Sequence, residues 1–334
     1  MADLTLISRK YVFQLFATAM FGLLCTFTTL AEPLSTNLKV SITDSTDAIT
    51  VIQKPYLTQE YEVDTPGSLK IFTVGGNIDV EASSSYNKVR IELYVDRGFA
   101  FWSQSKNLDN YRITTIKRDD EIVASVEQKK REQSFFGDRM NFSFKIYMPK
   151  EMSTQLKTLG GDISLRNVSG RQMMKTGGGS ISISDIKGRL EAYTAGGNID
   201  ITNSRGTIYA QTQGGHISLD RAQGEMRLKS NGGRIVSERT SGTMLAQVGG
   251  GDIWADFVQV GKGINLETSA GNIHLEVPDH RGYELSLSGS EVEFSDAEDL
   301  RGEQSKGRIE GTYKDSGPPI DLNTNVGTIT LTIK

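Results

Sequence analysis

The chain has 334 residues, 37 Lys and Arg against 41 Asp and Glu, a formal net charge of −4, 35 glycines, seven prolines and one cysteine. A balance that is mixed in sign and slightly acidic excludes the strongly basic composition of a nucleic-acid-binding protein, so no nucleic-acid partner is expected; the lack of a Gly-X-Y period excludes collagen. Glycine and proline are distributed oppositely: 22 glycines fall between Gly160 and Gly271, and no proline lies between Pro149 and Pro278.

At the N-terminus, Arg9 and Lys10 precede an apolar run over residues 11–24, and Thr29-Leu30-Ala31 places small residues at the −3 and −1 positions of a cleavage site. This is the pattern of a signal peptide over residues 1–31, cut after Ala31. A retained membrane anchor is the alternative, because the run is nearly long enough to span a bilayer. Leu24 directly before Cys25 does not suit a lipid-modification site. With the cut, the mature chain carries no cysteine, which excludes disulfides, thiolate zinc sites and cysteine nucleophiles together. No later segment is apolar and long enough to cross as a helix, so no membrane span is expected after cleavage. The expected location is outside the cytoplasm, in the periplasm or at the cell surface.

Residues 32–158 read as a β-rich N-terminal capping region, with strands over 89–95, 111–116, 122–126 and 142–148. Its loops carry Phe99, Phe101, Trp102, Phe135 and Phe136. These rings either pack over the first rung of the neighbouring repeats or form a partner-binding patch.

Residues 159–277 repeat every 18 residues. Double glycines fall at 160–161, 178–179, 196–197, 214–215, 232–233 and 250–251; the next marker, Ala270-Gly271, comes after 20, which places a two-residue insertion near 258–262. A second glycine marks each half-unit: Gly170, Gly188, Gly206, Gly224, Gly242 and, past the insertion, Gly263. Two residues after each pair stands isoleucine, from Ile163 to Ile273 in steps of one repeat. The second half-unit alternates in the same way and ends on a hydroxyl column, Thr176, Thr194, Thr212, Ser230 and Thr268, broken by Val248. Period-two alternation predicts two half-buried strands per unit. The glycine pairs are expected to supply φ > 0 at corners. The buried hydroxyls are expected to bond to each other or to corner backbone. Recurrence of like residues one repeat apart favours an all-β parallel β-solenoid over an antiparallel meander. Residues 278–334 read as irregular C-terminal β coils and a cap, in which Ile320, Leu322, Thr324, Ile329 and Leu331 match repeat columns. Val74-Gly75-Gly76-Asn77-Ile78-Asp79-Val80 is one further copy ahead of the run.

The Gly-Gly-x-Ile-x-[Leu/Ile] units, the halfway glycine, the Thr-Val-Gly-Gly-Asn-Ile-Asp-Val copy and the strand ending at Met148-Pro149 resemble the bacterial putative-adhesin family of β-strand repeat domains, a domain of unknown function. The resemblance covers roughly residues 60–334 and implies an exported β-solenoid of the cell envelope. It carries over no catalytic residues.

Few constellations in the chain suit chemistry. His216, His274 and His280 lie in different repeats without metal-ligand spacing, so no metal and no cofactor are expected. The pattern has isoleucine where calcium-binding β-rolls need glycine, and a variable residue where they need aspartate. The glycine corners precede strands rather than helices, which argues against nucleotide binding. Outward carboxylates such as Asp200, Asp220, Asp256 and Glu276 could serve as the acid and base of a glycan-cleaving site, or simply form a solvated face. Val236, Trp254 and His274 share one outward column beside the insertion; Trp254 and His274 are therefore candidate ligand-binding residues for a sugar ring or protein partner, unless the inserted loop covers them. Tyr193 and Tyr209 point outward on different columns and read as ordinary strand residues. The expected function is non-enzymatic recognition or scaffolding at the envelope, with a glycan or an envelope protein as partner. The alternatives are a polysaccharide-degrading β-helix enzyme and a regulatory partner of an envelope-stress system.

Overall fold

The computed structural model describes residues 38–40, 51–96, 108–129 and 140–334, in two units, Met1–Lys54 and Pro55–Lys334. In the first unit Leu38–Val40 pairs antiparallel with Val51–Gln53. In the second, 25 strands join in one hydrogen-bonded sheet. Two 3₁₀ turns, Leu108–Asn110 and Ala297–Asp299, accompany them, with no α-helix among the described residues. The chain is all-β. The predicted signal segment and the rings at Phe99, Phe101, Trp102, Phe135 and Phe136 lie outside the described residues.

The 18-residue period sets the pairing. Each unit supplies a four-residue strand, such as Ile199–Thr202, and an eight-residue strand, such as Arg205–Thr212. Short strands pair in parallel with short ones, Ile181↔Ile199↔Ile217, and long with long, Thr176↔Thr194↔Thr212. Each side chain therefore stands above its twin at about 4.8 Å. Inward isoleucines from Ile163 to Ile273 are buried, with the Leu, Met and Ala columns of the long strands facing them. A third buried column, Val168, Ile186, Ser204, Ala222 and Thr240, has no apolar signature in the sequence. It exists because the preceding residue, Asn167, Asp185, Asn203, Arg221 or Arg239, holds a φ between +49° and +64°. That left-handed step turns the chain and aims the next side chain inward.

The glycines work differently from expectation. Positive φ belongs to the halfway glycines, +117° to +132° from Gly170 to Gly242, and not to the pairs in the regular coils. In each regular pair the second glycine is required by close approach: a Cβ on Gly179 would lie 2.1 Å from the carbonyl oxygen of Gly161, whereas one on Gly178 would meet nothing within 4 Å. The hydroxyl column locks the same corner. Thr194 Oγ1 donates to Gly179 O at 2.8 Å and accepts from Gly197 N at 3.2 Å; the same clip recurs at Thr158, Thr176, Thr212 and Ser230. The buried hydroxyls thus bond to corner backbone rather than to one another along the column.

Both ends are built by excursion and return. Gly67–Thr73 and Ile78–Ala82 pair directly with Met152–Thr158 and Ile163–Arg166, so Ile78 faces Ile163 across 85 residues of chain. The intervening segment adds Glu121–Gln128 and Asn141–Met148 in parallel beneath them; its strands Lys88–Asp96 and Tyr111–Arg118, with Leu57–Glu62 from ahead of Gly67, pair antiparallel and close that end. At the other end the chain leaves after Val277, forms Tyr283–Ser288 and Glu291–Phe294, and returns. Pro319–Val326 then slots between Ile253–Ala270 and Tyr283–Ser288, and Thr328–Ile333 between Ile273–Val277 and Glu291–Phe294. Antiparallel Arg308–Tyr313 and Leu300–Ser305 finish that edge. The charged, exposed Leu300–Ser305 edge suits a strand that must not recruit another.

The inserted residues are localised by register. Gly242 faces Val260 and Met244 faces Ile264, so the extra pair lies between Val260 and Ile264. Val260, not Gly263, continues the halfway-glycine column. Arg281 donates to the carbonyl of Val260 and pins this bulge.

Candidate functional site

Outward side chains divide into a corner column, a short-strand face and a long-strand face. The corner column is structural. Asn77 Oδ1 accepts from Asp162 N at 2.9 Å, Asp162 Oδ1 from Ser180 N at 2.8 Å, Asn198 Oδ1 from His216 N at 2.9 Å, and Asp252 Oδ1 from Asn272 N at 2.7 Å. His216 joins it through Nδ1, which accepts from Arg234 N at 3.0 Å. These carboxylates and this histidine satisfy backbone donors of the next coil.

On the short-strand face the structure brings the two predicted residues together. Val236, Trp254 and His274 stand in register. The Trp254 and His274 rings stack with centroids 6.0 Å apart and planes 5° from parallel. Trp254 and His274 are both half-buried. His274 Nε2 lies 3.1 Å from Glu276 Oε1. Lys334 binds Glu276 Oε2 and approaches Asp256 Oδ1 at 3.3 Å. The Lys334 ammonium, with His274 second, holds the Glu276 carboxyl below its ordinary range. The result is a stacked aromatic pair beside two carboxylates tied to one lysine. Asp220, in the same acidic column, is bound by Arg221 and Arg239.

The long-strand face has a different chemistry. Tyr193 and Tyr209 touch diagonally across neighbouring strands, with ring centroids 5.3 Å apart. Glu191 is buried between Arg171 and Arg189 at 3.1 and 2.7 Å. Where the bulge interrupts the stack, an open groove of about 380 Å³ forms over Arg227, Leu245, Lys262, Asn265 and Pro319. Its rim is tied by Lys262 Nζ to Glu225 Oε1 at 2.9 Å.

Among the described residues no group of three or more His, Cys, Asp and Glu is placed to hold a metal ion, and no helix is long and apolar enough to cross a membrane.

The family described as Toastrack DUF4097 matches residues 69–332. The chain belongs to that family. No curated protein matches it. Solved structures similar to this Toastrack chain include a putative adhesin from Bacteroides fragilis, 17% identical, covering 82% of this chain and 96% of that one with a TM-score of 0.42. A putative lipid binding protein from Parabacteroides distasonis is 12% identical, with 82% and 96% covered and a TM-score of 0.36. A putative adhesin from Parabacteroides merdae is 12% identical, with 82% and 95% covered and a TM-score of 0.31.

Two features of the Toastrack coil escaped the sequence. The Tyr193–Tyr209 contact is diagonal, so it appears only when a one-repeat step is combined with a two-residue step along the strand. The role of Lys334 depends on the last strand sliding in beside Ile273–Val277, which brings residues 58 apart in sequence into contact.

Proposed function

We propose that this protein is an exported parallel β-solenoid of the cell envelope, in the periplasm or at the cell surface, that acts by recognition and without turnover. The observation that carries this reading is the stacked Trp254–His274 platform on an outward strand face. A half-buried indole stacked on a second ring at the sheet surface, with anchored hydrogen-bond acceptors at its side, suits contact with a sugar ring or a flat protein surface. The 18-residue parallel register from Ile163 to Ile253, closed at each end by antiparallel strands, supports the solenoid description. The state of Glu276 argues for binding over cleavage beside the Trp254–His274 pair. A glycosidase acid needs a raised pKa so that it carries a proton at neutral pH; Glu276 is shifted the opposite way, and Asp256 shares its lysine.

The test is a glycan array and a polysaccharide-degradation assay on the purified protein, each run with Trp254→Ala. Loss of binding with an unchanged melting curve, and no release of reducing ends, is the expected outcome. Release of reducing ends that Glu276→Gln abolishes would replace this reading with an enzymatic one. Cell fractionation of the tagged protein tests export; recovery only in the cytoplasm would sink that part.

A further inference from the structure

The two outward faces carry opposite charge. Between Ile163 and Val277 the short strands present five carboxylates and one arginine outward. Between Met152 and Ser230 the long strands carry eight cations and two carboxylates, of which Glu191 is buried. Lys157, Lys175 and Lys229 share one column, interrupted only by Tyr193 and Gln211. Arg227 stands in the adjacent column, next to Tyr209. Among the described residues these four cations make no salt bridge, unlike Arg171 and Arg189. Four strand spacings separate Lys157 from Lys229, about 19 Å at 4.8 Å each. Midway lies the Tyr193–Tyr209 pair, both half-buried, with ring planes 38° apart.

We propose that this long-strand face is a binding track for an acidic polysaccharide, with Tyr193 and Tyr209 stacking on sugar rings and Lys157, Lys175, Arg227 and Lys229 receiving its carboxylates. Unpaired cations spaced along a flat ridge match a linear polyanion, whose bound counterions they displace. Aromatic rings between them add what a bare polyanion would not use, an apolar face for a pyranose. A lipid surface fits less well: both tyrosines are half-buried and packed on each other, whereas interfacial anchors project apolar side chains into the headgroup layer. The acidic face of a second copy also fits less well, because Asp220, Asp256 and Glu276 are already paired within the chain. The proposal stands on its own residues and does not depend on the Trp254 platform.

The experiment is affinity electrophoresis of the full chain through gels containing polygalacturonate, neutral dextran or polyphosphate, at two salt concentrations. Retardation by polygalacturonate alone, weakened by salt, is the expected result. Lys175→Glu with Lys229→Glu should weaken it roughly tenfold or more. Tyr193→Ala should weaken it without changing the salt dependence, and Trp254→Ala should leave it unchanged. Equal retardation by polyphosphate, indifferent to Tyr193→Ala, would overturn the proposal in favour of unspecific charge binding. So would absence of retardation, binding to phosphatidylglycerol vesicles in place of polygalacturonate, or self-association that the double lysine variant abolishes. Melting curves identify any variant that fails to fold, and Lys175→Gln with Lys229→Gln then takes the place of the charge reversals.

Discussion

The coils cornered on Thr158 to Ser230 and those cornered on Val248 to Thr324 share their inward columns and differ at the corner. In the first group each hydroxyl both donates to a glycine carbonyl one coil below and accepts a glycine N–H of its own corner. At Val248 the hydroxyl is missing. From there the corner glycines change conformation: Gly251, Gly271 and Gly327 take φ of +152° to +156°. Gly251 N and Gly271 N now donate to the carbonyls of Ala270 and Val326. Thr268 and Thr324 keep only the donating half of the clip. The same coils carry the two-residue bulge, the stacked Trp254–His274 pair and the groove over Leu245. Loss of the full clip thus coincides along the chain with the bulge and the Trp254–His274 pair. A site is expected where a pattern breaks, and here the break is traceable to one missing hydroxyl and two extra residues.

If the inward ladder runs unbroken through both groups, Ile217→Asp and Ile273→Asp should be equally damaging, because both side chains are fully buried in the same column. An unpaired carboxylate there should cost about 4–5 kcal/mol or more, seen as loss of the cooperative melt. Tolerance of Ile273→Asp alone would break the shared-core half of the comparison; tolerance of both would remove the buried ladder. The corner half is probed by alanine. Gly179→Ala drives a Cβ to 2.1 Å from the backbone oxygen of Gly161, which cannot retreat without moving a strand. Its cost should be about 3 kcal/mol or more. Gly178→Ala next to it meets open space and should stay within about 0.5 kcal/mol. Similar denaturation midpoints for the two variants would contradict the close-approach explanation of the glycine pairs.

The sequence made the inward isoleucine and threonine columns readable because an 18-residue step repeats side-chain type as well as position. It made the Val236–Trp254–His274 column readable for the same reason. Three things were hidden. The buried column at Val168, Ile186, Ser204, Ala222 and Thr240 varies in polarity, since a left-handed turn rather than hydrophobicity aims it inward. The glycine pairs look alike, yet only the second member meets a carbonyl too closely for a Cβ, and that depends on the coil below. The order of the terminal coils depends on pairings such as Ile78↔Ile163 and Ile273↔Ile329. Column matching identifies these residues as repeat members but not the coil on which each is laid. Of the candidate site, the platform was legible; the lysine that holds its carboxylates and the diagonal tyrosine pair were not.

The smallest effect sharpens the comparison most directly. Thr194→Val removes a hydroxyl that serves two backbone groups, Gly179 O and Gly197 N, while keeping the side chain's shape. Leaving a buried corner N–H without its acceptor should cost about 1–2 kcal/mol, read from the denaturation midpoint at unchanged m-value. The converse change, Val248→Thr, should not return the same amount. Its hydroxyl could donate to the Gly233 carbonyl, but Gly251 N already has the carbonyl of Ala270 as acceptor. Only half of the clip is open to it, so a shift of at most about 0.5 kcal/mol is expected. If Val248→Thr stabilises by as much as Thr194→Val destabilises, Gly251 must be able to flip back to the regular corner, and the two groups of coils are one structure with a single repairable fault. If Thr194→Val is neutral, the hydroxyl clip does not hold the corner, and the contrast lies in the bulge alone.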